Sequence, residues 1–93
     1  DDDSFVKQLE PSSFHVKANT TIEDFNEYFA LTLSDDEFDT IGGIVLQAFG
    51  HLPELGESIE VAGLRFEVLN ADSRRLRLLR VDTPNPIEHS ELA

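Results

Sequence analysis

Four carboxylates crowd one short stretch of this chain, at Asp35, Asp36, Glu37 and Asp39. Hard divalent cations such as magnesium take oxygen ligands of this kind. Asp35, Asp36 and Asp39 are therefore candidate ligands of a weak cation site that keeps waters in its shell. Their spacing matches no EF-hand loop, and acids ahead of a helix also complement the positive end of its dipole. Both readings stand at this level. Gly42-Gly43 follows at once, in the first turn of a predicted helix. Free amides at a helix start attract anions, but the neighbouring acids repel them and no P-loop lysine follows. The competing reading is close packing of the helix start on a sheet. Such an approach offsets the roughly 1 kcal/mol that each glycine costs in a helix interior.

Other chemistry is sparse. His15, His51 and His89 are scattered, with no i, i+4 pair for cobalt or zinc, and there is no cysteine. His51, just past the helix exit, reads as part of the turn. Ser58 and Ser73 carry no nucleophile signature, and no pair of carboxylates is set in an apolar stretch as an acid and base would be. No catalytic residue emerges, and the chain does not read as an enzyme. The basic residues are more informative. All five arginines lie between Arg65 and Arg80, and residues 74–81 hold Arg74, Arg75, Arg77 and Arg80 without an acid. In a chain of net charge −12, that segment is a candidate protein interface, to another domain or to a second copy. Balance by neighbouring acids and solvent is the alternative. The overall charge argues against nucleic acid or anionic lipid as the main partner.

These residues must be held by a small fold. Ninety-three residues, 40% of them hydrophobic, make one domain with a single core. Residues 1–4 read as an acidic, frayed lead-in, and 83–93 as a polar tail. Alternation predicts strands over 5–10 and 14–18, joined at Pro11-Ser12-Ser13. Thr20 with Glu23 fits a capping box opening a first helix that buries Ile22, Phe25 and Phe29. Leu31, Leu33 and Phe38 are expected to tuck inward. The central helix places Ile41, Ile44, Val45, Ala48 and Phe49 on one face. Asp39 or Thr40 caps it, Gly50 supplies a left-handed end and Pro53 forbids continuation. Beyond Gly56 the period becomes 2. Ala62-Gly63 joins two strands, and residues 70–73 form a second turn. In a last strand over 74–81, Leu76 and Leu78 share one face, with Leu79 and Val81 on the other. That strand is therefore central, or its outer face meets a partner. The fold class is α+β, with two helices packed on a mainly antiparallel sheet in the order β-β-α-α-β-β-β. No apolar run approaches the roughly 18 residues that span a bilayer.

The spacing of Asp39-Thr40-Ile41-Gly42-Gly43, Phe49-Gly50-His51-Leu52-Pro53 and Gly56-Glu57 resembles the CorC/HlyC transporter-associated domain. Gly63-Leu64-x-Phe66-x-Val68 and Asp72-Ser73-Arg74-Arg75-Leu76 extend the likeness over about residues 5–82. The resemblance implies an accessory role in bacterial ion transport, with magnesium and cobalt efflux as the process. It implies a cytoplasmic domain that follows a CBS pair and does not itself enter the membrane. It also implies a fold similar to a subdomain of vanillyl-alcohol-oxidase-type FAD-binding enzymes. No cofactor is expected, and FAD or an adenine nucleotide enters only through that fold analogy. The family supplies no catalytic residues to carry over.

Overall fold

The computed structural model describes residues 5–84. The acidic lead-in, His89 and nearly all of the polar tail lie outside the described residues. The elements are β1 (Val6–Glu10), β2 (Ser13–Lys17), α1 (Ile22–Phe29), α2 (Ile41–Phe49), β3 (Ser58–Val61), β4 (Leu64–Ala71) and β5 (Leu76–Asp82). All five strands join one antiparallel sheet in the order β1-β2-β5-β4-β3. The last strand is thus the central one. Its neighbours β2 and β4 each pair with it along most of their length, which explains why it carries apolar residues at so many positions.

Both helices cover the same face. Phe14, Val16, Phe66, Val68, Leu79 and Val81 from the sheet pack with Phe25, Phe29, Ile41 and Val45 from the helices. Phe14 meets Phe29 and Tyr28 edge to face, with centroids 5.0 and 5.8 Å away. This is the favoured geometry for aromatic quadrupoles. The other sheet face is polar. Cross-strand pairing lines up Lys7, His15, Arg80, Glu67 and Ser58 across it.

Several local expectations shift. The cap of α1 is Thr21, whose hydroxyl accepts from the Asp24 amide at 3.1 Å. Thr20 is buried instead and donates its hydroxyl to the Lys17 carbonyl at 2.6 Å. The capping box therefore fails by one position, because Thr20 is needed to close the turn after β2. In α2 the inward face runs through Ile41, Gly42, Val45, Leu46 and Phe49, while Ala48 is exposed. The stripe is rotated because Gly42 lets that side of the helix reach the end of β2. Thr40 caps α2, and Gly50 closes it in the left-handed region, as expected.

Two strand expectations change for one reason. The β4–β5 pairing steps from Val68–Leu79 to Asn70–Leu78 and then to Ala71–Leu76. Leu69 and Arg77 are each passed over, so alternation is reset in both strands. Leu76 consequently joins Leu79 and Val81 in the core, and Leu78 is left half-buried on the other side. Strand β4 runs on to Ala71, which confines the turn to residues 72–75.

Candidate functional site

The glycine pair at the start of α2 is not an anion cradle. The Gly42 amide donates to the Ala18 carbonyl at 2.8 Å, and the Ile41 amide to the Thr20 carbonyl at 2.9 Å. The Gly43 amide turns back to Thr40. The amides that would greet a phosphate are already spent. A β-carbon on residue 42 would lie 2.7 Å from the Ala18 β-carbon, so the glycine serves close packing. Gly43 makes room for the Phe38 ring in the same way.

The acidic bend is exposed at Asp35, Asp36, Glu37 and Asp39. Among the described residues, no three acidic or histidine side chains converge as a metal site would require. Asp35, Asp36 and Asp39 are thus neighbours in the chain without being gathered around a point. His15 lies half-buried in β2, and His51 lies beyond α2 with Nε2 3.9 Å from Glu57. That pairing bridges the exit loop, in keeping with a turn role for His51.

The four arginines divide into two places. Asp72 organises the first. Its carboxylate accepts from the Arg74 and Arg75 amides, both at 2.9 Å, and pairs with the Arg75 and Arg77 side chains at 3.8 and 3.4 Å. These donors, the Arg74 and Arg75 amides foremost, hold the Asp72 carboxyl below its ordinary value. Arg80 lies apart, on the polar face of the sheet, where it donates to Ser13 at 3.1 Å and meets Asp82 at 3.3 Å.

Periodicity could not reveal one grouping. Lys17, at the end of β2, lines a cleft together with Arg75 and Arg77. The cleft is open to solvent and measures about 610 Å3 between the start of α2 and the β2–β5 pair. Gly43, Leu46, Leu76 and Leu78 supply apolar lining, and among the described residues no lining residue bears a carboxylate. Lys17 was legible in the sequence only as an exposed position of a strand. Its ammonium lies over the Phe5 ring, 5.5 Å from the centroid, on the β1 side of β2 and away from the arginines.

Residues 7–85 match the transporter associated domain family, CorC_HlyC. The chain belongs to this family. Magnesium and cobalt efflux protein CorC of Vibrio cholerae is 52% identical over 80 residues, covering 86% of this chain and 28% of that protein. The chain thus spans under a third of the curated relative it matches. The CorC-associated region from Neisseria meningitidis MC58, described as belonging to an Mg2+ and Co2+ transporter, superposes with a TM-score of 0.82 at 40% identity. That match covers 86% of this chain and 99% of the other. A transporter associated domain of a CBS domain protein from Porphyromonas gingivalis gives 0.74 at 26% identity, covering 86% and 98%. The CorC_HlyC domain of a Xylella fastidiosa hemolysin, solved in complex with Mg++ and Mn++, gives 0.75 at 26%, covering 88% and 100%. Two helices on a five-stranded antiparallel sheet are therefore the architecture of CorC_HlyC domains. Among the described residues, no helix is long and apolar enough to cross a membrane.

Proposed function

We propose that this chain is the accessory domain of a magnesium and cobalt efflux protein and modulates ion transport through protein contacts. The observation that carries the reading is 52% identity to CorC across nearly the whole domain. The partner is a CBS pair of the same protein or a second copy of the domain. A CBS domain protein carries a related domain in Porphyromonas gingivalis, which supports the first choice. The contact residues are Arg74, Arg75, Arg77 and Arg80. Arg74 is exposed in the β4–β5 turn, and Arg80 lies on the sheet face opposite α1 and α2. Opposed charges at such a surface steer encounter and set register.

The test is association of this domain with the CBS pair, and with itself, for the unaltered chain and for Arg74→Glu with Arg80→Glu. The paired reversal should weaken one of the two associations and alter efflux by the whole protein. Unchanged association in both would remove the contact reading. The magnesium- and manganese-bound relative favours a second reading, cation sensing at the bend holding Asp35, Asp36 and Asp39. Saturable amide shifts confined to residues 35–43 on magnesium addition would support it, and no residue-specific response at millimolar magnesium would end it.

A further inference from the structure

We infer that the outward side of α2, with Leu52 and Leu55 in the loop that leaves it, docks an amphipathic helix whose apolar stripe is flanked by lysines and arginines. The first support is the composition of α2. Ile41–Phe49 carries no charged side chain, and Gln47 is its one amide side chain. A helix that is apolar all round belongs in the interior of a larger protein, covered on every side. Here one side is covered. Ile41, Gly42 and Val45 are buried, whereas Ile44, Leu46 and Phe49 are half-buried and Ala48 is exposed. The loop continues the same character, with Leu52 39% and Leu55 63% exposed. Apolar residues thus recur at partial or full exposure from Ile44 to Leu55, the mark of a surface that another element covers.

The second support is charge, and it selects the partner. More than half of the 19 acidic residues fall in residues 18–64, and none of the seven lysines and arginines does. The Gln47 side-chain amide donates to Glu37 at 3.5 Å, which places the acidic bend beside the outward side of α2. Glu54 and Glu57 flank Leu55 in the exit loop. Among the described residues, none of these three carboxylates pairs with a lysine or arginine. An apolar centre with an acidic rim is complementary to an apolar stripe with basic flanks. A second copy meeting through the same surface would set acid against acid. An anionic bilayer is repelled for the same reason. A helix surface has no unpaired backbone row for a strand to join. Recognition therefore falls to side chains, which a partner helix presents at matching intervals.

Leu52 and Leu55 enter neither the arginine contact reading nor the cation reading, so this inference and those can fail separately. The experiment is an amide-resolved NMR titration with an amphipathic helical peptide of leucine and lysine. A scrambled peptide of the same composition, whose leucines share no helical face, is the comparison. Both are added to the unaltered chain, to the double variant Leu52→Ser with Leu55→Ser, and to Leu9→Ser, which alters a comparably exposed leucine on β1. The amphipathic peptide should shift amides of residues 44–57 and saturate. The scrambled peptide should bind roughly tenfold or more weakly. The double variant should lose a similar factor for the amphipathic peptide, with Leu9→Ser near the unaltered chain. Unchanged amide shifts in β2 and β5 confirm that each variant is folded. Four results would each overturn the proposal: equal binding of the scrambled peptide, full binding by the double variant, an equal loss in Leu9→Ser, or shifts spread over the open sheet face. Sedimentation of the chain alone supplies a fifth. A dimer that the double variant dissociates would replace the partner helix with a second copy.

Discussion

The backbone amide of Gly42 donates to the carbonyl of Ala18 at 2.8 Å, bringing the start of α2 against the end of β2 too closely for a side chain at position 42. A β-carbon there would sit 2.7 Å from the Ala18 β-carbon and 2.8 Å from its carbonyl oxygen. Neither atom is the far end of a flexible group. Gly42→Ala should therefore destabilise the domain by about 1–3 kcal/mol, although alanine is the better helix former by roughly 1 kcal/mol. Urea denaturation measures this. Stability at or above that of the unaltered chain would mean that helix and strand separate without cost.

Asn26 ties α1 to the connection that leads into α2. Its side-chain amide donates to the Leu33 carbonyl at 3.0 Å and its oxygen accepts from the Leu33 amide at 2.9 Å. Asn26→Ala removes both bonds from a partly buried site, so a loss of about 1–3 kcal/mol is expected. Hydrogen exchange at Leu33 should accelerate more than exchange in the sheet. Uniform acceleration across the domain would indicate global destabilisation alone.

The β3–β4 hairpin contains a residue that can be improved. Ala62 and Gly63 form its two-residue connection, with φ of 55° and 82°. Positive φ costs a residue other than glycine roughly 1–2 kcal/mol, and asparagine bears it better. Asn-Gly is also the preferred sequence for such a turn. Ala62→Asn should raise stability by up to about 1 kcal/mol, read from the urea midpoint at unchanged slope. A lower midpoint would show that the turn does not limit stability.

Asp72 makes stability depend on pH in acid. The Arg74 amide, then the Arg75 amide, favour its charged form and depress its pKa below the ordinary 3.8. A depressed carboxyl contributes stability that is present above the unfolded value and lost as pH falls through the folded value. Asp72→Asn should therefore lower the melting temperature at neutral pH, with the deficit shrinking below the ordinary carboxylate range. A deficit of the same size at neutral and strongly acidic pH would rule out the charge as its origin.

Much of this domain was legible because its signals are local. Gly50 and Pro53 end α2 where turn chemistry requires, and the apolar spacing of Ile22, Phe25 and Phe29 survives intact in the core. The candidate sites were less legible. The acids at 35, 36 and 39 are close in the chain, but backbone path decides whether side chains converge, and among the described residues no such cluster forms. Arg74, Arg75, Arg77 and Arg80 look like one strand face, yet Asp72 gathers three of them at a turn and leaves Arg80 with Ser13 and Asp82.

The order of elements, the cap and exit of α2, and the family they announce follow from the sequence alone, because helix and strand periods and turn residues act over a few positions. Three features needed the tertiary structure. These are the spent amides at Gly42, the shift of Leu76 into the core by the passed-over Arg77, and the meeting of Arg80 with Ser13. Each depends on how one element meets another, in register or in close approach. A single skipped residue reverses which face a side chain occupies, and no local propensity specifies that skip.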